Sequence, residues 1–301
     1  MRVGFIGTGN IGAPMAASIL NAGYELVVHD VVREKTQPLV DQGAVWADSP
    51  AEAASQCDII CTCLPGPAEM EPVTLGPGGI LEGARSGSVY IDHTTNSPLL
   101  ARRVHGVFAE KGIAMLDAPV SGGVEGARVR DLLVMVGGDE ATFQRCLPVL
   151  EAIGERVMHT GDIGSGCVCK IMHNTAVFCA DLAMAECWTL AIKSGVPAET
   201  IVDVFRKGAI GRMSNLWGRL PDTFFQGDFQ ARFALKTAHK DLRLGEELAE
   251  AYEVPMPLAQ VCRDLYAQAM ARGWEDNDSS IVLTLQEERA GVQVRPGANQ
   301  A

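Results

Sequence analysis

Directly after Met1 the chain runs Arg2-Val3-Gly4-Phe5-Ile6-Gly7-Thr8-Gly9-Asn10-Ile11-Gly12. A short apolar run, three glycines spaced G-x-G-x-x-G and then a helical pattern to about Asn21 permit few folds. Gly7 serves the tight turn out of the strand, Gly9 lets a ligand approach the backbone, and Gly12 lets the helix pack close to the strand. Free N–H groups near Asn10 and Ile11 then stand at the positive end of a helix dipole, where a pyrophosphate fits. Taken alone, the motif is equally an ordinary glycine-rich turn. Asp30 changes the balance: it lies 18 residues after Gly12, at the end of a second apolar run. A carboxylate there accepts hydrogen bonds from both ribose hydroxyls of a dinucleotide. It favours NAD over NADP by repelling a 2′-phosphate, although Arg33 is near enough in sequence to neutralise one.

The chain then divides into two textures. Short runs rich in Val, Ile and Leu at 3–6, 26–29, 59–64, 89–92, 115–118, 133–137 and 157–159 alternate with helical periodicity. That alternation implies βαβ units and a doubly wound, mainly parallel sheet of α/β class. After Gly161, Gly164 and Gly166 the strands stop. Residues 165–194 read as one helix, which at roughly thirty residues would span on the order of 45 Å. Helices follow at 198–206, 213–220, 236–252, 257–272 and 278–290, and the Pro- and Gly-containing tail 294–301 reads as loose. The expected organisation is a dinucleotide-binding domain over 1–163 and an all-α domain over 164–301, joined through the long helix.

Composition narrows the partners. A 301-residue chain fits two domains, and a net charge of −12 speaks against nucleic acid or an anionic membrane. The apolar segment 175–192 carries Asp181 and Glu186, which argues for a buried helix over a membrane span. Nine cysteines, most of them in apolar runs, lack zinc-knuckle spacing, so no metal site is expected. They point to a reducing compartment without a disulfide framework. With no charged leader before an apolar stretch, the expected location is cytoplasmic.

Lys170 and Asn174 are four apart on the long helix, so an amine and a carboxamide share one face. His173 is a rival acid or base there. Leu64-Pro65-Gly66 and the segment Asp92-His93-Thr94-Thr95-Asn96-Ser97-Pro98 end two strands, where an open α/β sheet binds ligands. A plain turn and a helix cap are their other readings. Ser121-Gly122-Gly123 ends another strand and is either a backbone nest for a carboxylate or a flexible loop.

Four motifs in order carry a resemblance. They are Gly4-Phe5-Ile6-Gly7-x-Gly9-x-x-Gly12-x-Pro14-Met15-Ala16; Asp117-Ala118-Pro119-Val120-Ser121-Gly122-Gly123; Gly161-x-x-Gly164-x-Gly166-x-x-x-Lys170-x-x-x-Asn174; and Lys240-Asp241-Leu242. Together they resemble the 3-hydroxyisobutyrate dehydrogenase family of β-hydroxyacid dehydrogenases over nearly the whole chain. The resemblance implies a Rossmann domain followed by a helical domain. It implies that Lys170 is catalytic, that Ser121, Gly122, Gly123 and Asn174 hold the substrate, and that Asn10, Ile11, Asp30, Leu64, Pro65, Thr95 and Lys240 contact the cofactor. One departure stands out: His93-Thr94 replaces a small or apolar residue followed by serine, which leaves Thr95 as the cofactor contact.

The implied chemistry is NAD-linked oxidation of a small 3-hydroxy acid. A neutral Lys170 takes the hydroxyl proton, provided burial and nearby positive charge lower its pKa; Lys240 and the nicotinamide are the candidate charges. The same family also suggests reduction of a small aldehyde acid such as tartronate semialdehyde or succinic semialdehyde, and a catalytically silent dinucleotide-binding module is the contrasting reading. Arg212 is a candidate clamp for a second carboxylate, and specificity is expected around Arg212, Trp217 and residues 229–235. The apolar long helix and the family both suggest a homodimer or homotetramer.

Overall fold

The computed structural model describes residues 1–294; the tail at 295–301 lies outside the described residues. The chain divides into two compact units, Met1–Thr175 and Ala176–Ala301. Residues 164–175, which the sequence reading groups with the helical part, pack with the first unit.

The first unit is built on nine strands: β1 Arg2–Ile6, β2 Glu25–His29, β3 Val45–Trp46, β4 Ile59–Thr62, β5 Val89–Asp92, β6 Ala114–Asp117, β7 Val120–Ser121, β8 Leu133–Gly137 and β9 Arg156–Gly161. Their order is β3-β2-β1-β4-β5-β6-β8-β7, with β9 beside β8. Every pairing from β3 across to β6 is parallel. β8 runs antiparallel to β6 and β7, and β9 lies parallel to it. Alternate residues of one strand feed opposite cores. Phe5 joins Met15 and Ile19 on one face, while Ile6 joins Tyr90 and Phe108 on the other. Helices cover both faces, so the strands are apolar throughout instead of alternating. Each fully buried Phe or Ile contributes about 1.5–3 kcal/mol. Strand order reverses between β1 and β4, and the crevice outside their carboxyl ends is where such sheets take ligands.

The helix Ser165–Lys193 starts in the first unit and continues into the second. By length and composition it could cross a membrane. The expectation that it is a buried helix is corrected: Met172, Val177, Phe178, Leu182 and Ile192 are exposed. Composition reveals that a helix is apolar; it does not reveal whether its own chain supplies the cover. Glu186 does have a partner. Its carboxylate accepts the backbone N–H groups of Leu258 at 3.0 Å and Ala259 at 3.1 Å, the N-terminal turn of the helix Pro257–Ala271. A negative charge there is favoured by the helix dipole.

The second unit also contains Ala198–Lys207, Leu235–Ala251 and Thr284–Ala290. Its small core gathers Leu235, Ala269, Ile281, Val282 and Leu285. The turn expected as an α-helix at 213–220 is a π-helix, Asn215–Arg219, and the start of the last expected helix is a 3-10 segment, Ser279–Leu283. All nine cysteines are free thiols, and burial pushes those of Cys57 and Cys63 up to about 12.

Candidate dinucleotide and acid–base site

Gly7, Gly9, Asn10, Ile11, Gly12, Asp30, Leu64 and Pro65 line one cleft of about 720 Å³ at the carboxyl ends of β1, β2 and β4. The glycines divide the work as their spacing implies. Gly7 has φ +91°, and a Cβ on Gly12 would lie 2.0 Å from the Gly7 carbonyl oxygen. Only glycine at both positions lets the helix Gly12–Asn21 sit so close to the turn. A Cβ on Gly9 would meet nothing within 4 Å, so space is left open at that point of the cleft.

That helix also lacks a side-chain cap and has no acid in its first turn. The helices Pro50–Ser55, Pro98–Glu110 and Glu140–Ile153 are capped by Ser49, Ser97 and Asp139. Uncapped N–H groups at the mouth of a cleft suit a phosphate. Asp30 ends the opposite wall. Its Oδ2 accepts the Thr8 N–H at 2.8 Å and its Oδ1 accepts the Val32 N–H at 2.9 Å, which fixes the carboxylate while leaving lone pairs for ribose hydroxyls. The residues present therefore fit a dinucleotide. Arg33 stacks its guanidinium over Trp46, 5.2 Å from the ring centroid, and Lys35, which the sequence reading did not single out, lines the cleft.

Under the crevice lies a buried polar frame. Thr62 Oγ1 donates to Asp92 Oδ1 at 2.8 Å, the Thr94 N–H to the same oxygen at 3.0 Å, and Asn96 Nδ2 to Asp92 Oδ2 at 3.0 Å. Thr94 Oγ1 in turn accepts the Leu64 N–H at 3.1 Å, which ties the Leu64-Pro65 turn to the next strand. Burial raises the Asp92 pKa against these bonds. His93 stacks on Phe5, and its Nδ1 lies 2.8 Å from the Ala118 carbonyl. Burial lowers its pKa to about 4, so the ring is neutral and donates from Nδ1. Thr95 is exposed and lies outside the lining of the cleft.

Lys170 is 9% exposed, and burial alone lowers its pKa; no charged neighbour contributes. Asn174 shares its helix face one turn on, and His173, exposed, lies 3.4 Å from the Asn174 Oδ1. The helix bearing them is held at its start by Asp117, the last residue of β6. Asp117 Oδ1 accepts the Gly164 N–H at 2.6 Å and Oδ2 accepts the Cys167 N–H at 2.7 Å. The backbone N–H of Asn96 meets the Cys167 sulfur, joining this anchor to the Asp92 frame.

Ser121 ends β7, and Gly122 and Gly123 follow with φ +143° and +65°. The open groove on one side of Ser121 and Gly122 is lined by Glu125, Asp131 and Glu155, with Arg156 paired to Asp131. That side does not suit a carboxylate. Lys240 belongs to the second unit; it is exposed, with Nζ 2.9 Å from Asp241. At Lys170 itself, burial is the cause of the shift.

Residues 2–161 match the family model described as the NAD binding domain of 6-phosphogluconate dehydrogenase. Residues 164–286 match the NAD-binding domain of NADP-dependent 3-hydroxyisobutyrate dehydrogenase. The chain is 35% identical to 2-(hydroxymethyl)glutarate dehydrogenase of Eubacterium barkeri, covering 99% of this chain and 98% of the relative. It is 34% identical to 3-hydroxyisobutyrate dehydrogenase of Pseudomonas aeruginosa, covering 88% and 91%. Among solved structures, Mycobacterium tuberculosis 3-hydroxyisobutyrate dehydrogenase with L-serine aligns at a TM-score of 0.65 and 33% identity, covering 95% of this chain and 100% of that one.

Proposed function

The chain belongs to the 3-hydroxyisobutyrate dehydrogenase family, and from that premise we propose that it oxidises a small 3-hydroxy acid, with Lys170 as the acid–base group. It is an NAD(P)-dependent oxidoreductase acting on CH–OH groups. The names of its relatives suggest a substrate class. 3-Hydroxyisobutyrate, L-serine and 2-(hydroxymethyl)glutarate share a hydroxymethyl group on the carbon that bears the carboxylate. They differ only in the third substituent, so we read the substrate as an acid of that shape.

The observation that carries the acid–base reading is Lys170 itself, a buried amine with a lowered pKa and no charged partner, one turn from Asn174. A buried lysine with nothing to neutralise it costs stability and is retained where the neutral amine is used. The nicotinamide, when bound, supplies the hydride acceptor. As the carbinol carbon gives up its hydrogen with the bonding pair, the hydroxyl proton passes to Lys170 Nζ, and the product is the aldehyde acid. Asn174 holds the reacting oxygen by hydrogen bonding without titrating. Through the family motif, Ser121, Gly122 and Gly123 are read as holding the substrate carboxylate, on the side away from the acidic groove, and so as fixing which carbon reacts. In reverse, a protonated Lys170 donates to the forming alcohol. A lowered pKa makes the neutral amine more available to take that proton, and the same group serves both directions.

Asp30 supports NAD over NADP, while Lys35 is the cation in the cleft nearest in sequence to meet a 2′-phosphate. Thr95 and Lys240 enter this reading as cofactor contacts through the family motif alone. The exposed apolar residues of Ser165–Lys193 support a homo-oligomer, read by sedimentation velocity, and Glu186 pinned to a neighbouring helix supports a scaffold role over a bilayer span. The deciding assay follows NAD+ reduction with 3-hydroxyisobutyrate, L-serine, 2-(hydroxymethyl)glutarate and plain 3-hydroxypropionate. One of them should turn over, and Lys170→Ala should lower kcat by about 10²–10⁴-fold. Unchanged kcat in that variant sinks the role given to Lys170. Cofactor binding without turnover of any acid, or of the matching aldehydes, would point to a silent binding module.

A further inference from the structure

Three helices of the first unit satisfy their first N–H groups with a local side chain. Ser49, Ser97 and Asp139 each sit at the N-cap and accept the N–H three residues on. The helix that carries Lys170 does otherwise. Its starting N–H groups, Gly164 and Cys167, donate to Asp117, which lies 47 and 50 residues earlier at the end of β6 and is fully buried. A local cap would satisfy the same donors and leave the helix free to pivot. A carboxylate projecting from an inner strand satisfies them and also fixes where the helix begins relative to the sheet.

The packing around this anchor leaves little slack. A Cβ on Gly166 would lie 2.3 Å from the Met135 carbonyl oxygen and 2.8 Å from that of Asp117. A Cβ on Gly137 would lie 2.4 Å from Asp117 Oδ1. The first turn of the helix is therefore seated with its backbone against β6 and β8. Lys170 follows Cys167 by three residues, about 4.5 Å along the axis. The same frame reaches the cofactor cleft through Cys167, Asn96, Asp92, Thr94 and Leu64.

We propose that Asp117 is a positioning residue for Lys170: by holding the start of the helix on β6 it sets the place of the amine relative to the strand ends that carry the dinucleotide. The proposal rests on the reading of Lys170 as the acid–base group. A displacement of about 1 Å in a reacting group costs on the order of 10²-fold in rate.

The test is Asp117→Asn, which keeps the shape but turns an N–H donor toward a backbone N–H. It is assayed beside Lys170→Ala and beside Asp139→Ala, which removes the cap of the unrelated helix Glu140–Ile153. Asp117→Asn is expected to lower kcat about 10- to 100-fold, leave the NAD+ Kd within twofold, and speed amide exchange across residues 164–170. Asp139→Ala should lower Tm with kcat intact. If kcat of Asp117→Asn stays within twofold of wild type while Lys170→Ala is inactive, the positioning proposal fails and the acid–base reading stands. If NAD+ affinity falls in step with kcat, the proposal also fails. Lys170→Ala at wild-type rate removes the premise of both. Should Asp117→Asn not fold, exchange in the wild-type protein decides. Gly164 and Cys167 amides protected like those of β6 support the anchor, and exchange at the rate of an exposed amide overturns it.

Discussion

Gly9→Ala should separate holding the cofactor from holding the fold. A Cβ at Gly9 meets no atom within 4 Å, and Gly9 is absent from the positive-φ glycines, so alanine fits its backbone and its surroundings. Replacing glycine by alanine at such a site stabilises by about 0.4–1 kcal/mol, through the unfolded chain. At roughly 2–4 °C per kcal/mol, the Tm of the cofactor-free protein should rise by about 1–4 °C. The same methyl group occupies the space through which a pyrophosphate reaches the N–H groups of the uncapped helix Gly12–Asn21. Losing one hydrogen bond to a charged group costs about 1.5–3 kcal/mol, which weakens NAD+ binding about 10- to 150-fold. Gly12→Ala is the contrast: its Cβ would lie 2.0 Å from the Gly7 carbonyl oxygen, so the empty protein itself should lose about 1–3 kcal/mol. Calorimetric unfolding without cofactor and titration with NAD+ read both effects. A Gly9→Ala protein that melts well below wild type, or binds NAD+ equally well, would refute the assignment of this turn as the pyrophosphate cradle.

Two further outcomes follow from single side chains. His93 has its pKa lowered by burial from 6.5 to about 4, so its contribution is intact above pH 6.5 and is lost as pH falls toward 4. Between pH 7 and pH 5 that loss amounts to about 2 kcal/mol; urea unfolding of His93→Phe should lack this slope, and parallel pH profiles for the two proteins would rule the account out. Asp30→Ser removes the carboxylate that faces the ribose, so the ratio of NADP+ to NAD+ Kd should move toward NADP+ by about tenfold or more; an unmoved ratio would mean that Asp30 does not set the preference.

What could be read in the chain beforehand follows a physical divide. The glycine turn, Asp30 and the Lys170–Asn174 pair were legible because each needs particular residue types at a fixed short spacing. The longer strands were legible because a sheet covered on both faces leaves nearly continuous apolar runs, as in β4 and β5. β3 and β7 have two residues each and no period to detect; their neighbours define them. The π-helix at Asn215–Arg219 is equally opaque, since five residues do not distinguish its pitch from an α-helix. Asp117 stood in plain view within a motif, but its role was hidden because its two donors lie 47 and 50 residues away. The one hint was an acid closing an otherwise apolar strand, where an unpaired charge would be costly. Lys35 was missed for a related reason: nothing in its local pattern says that it turns into the cleft.

The hydrogen-bonded frame from Leu64 through Thr94, Asp92, Asn96 and Cys167 to Asp117 has a consequence for timing. Its members are sheet ends, a helix start and the turns between them, each held by bonds within the first unit. Docking of the dinucleotide on the first unit should therefore leave these turns and this helix start where they are. Association there should run as a single fast phase whose rate scales linearly with NAD+ concentration, without the plateau that a slow rearrangement imposes.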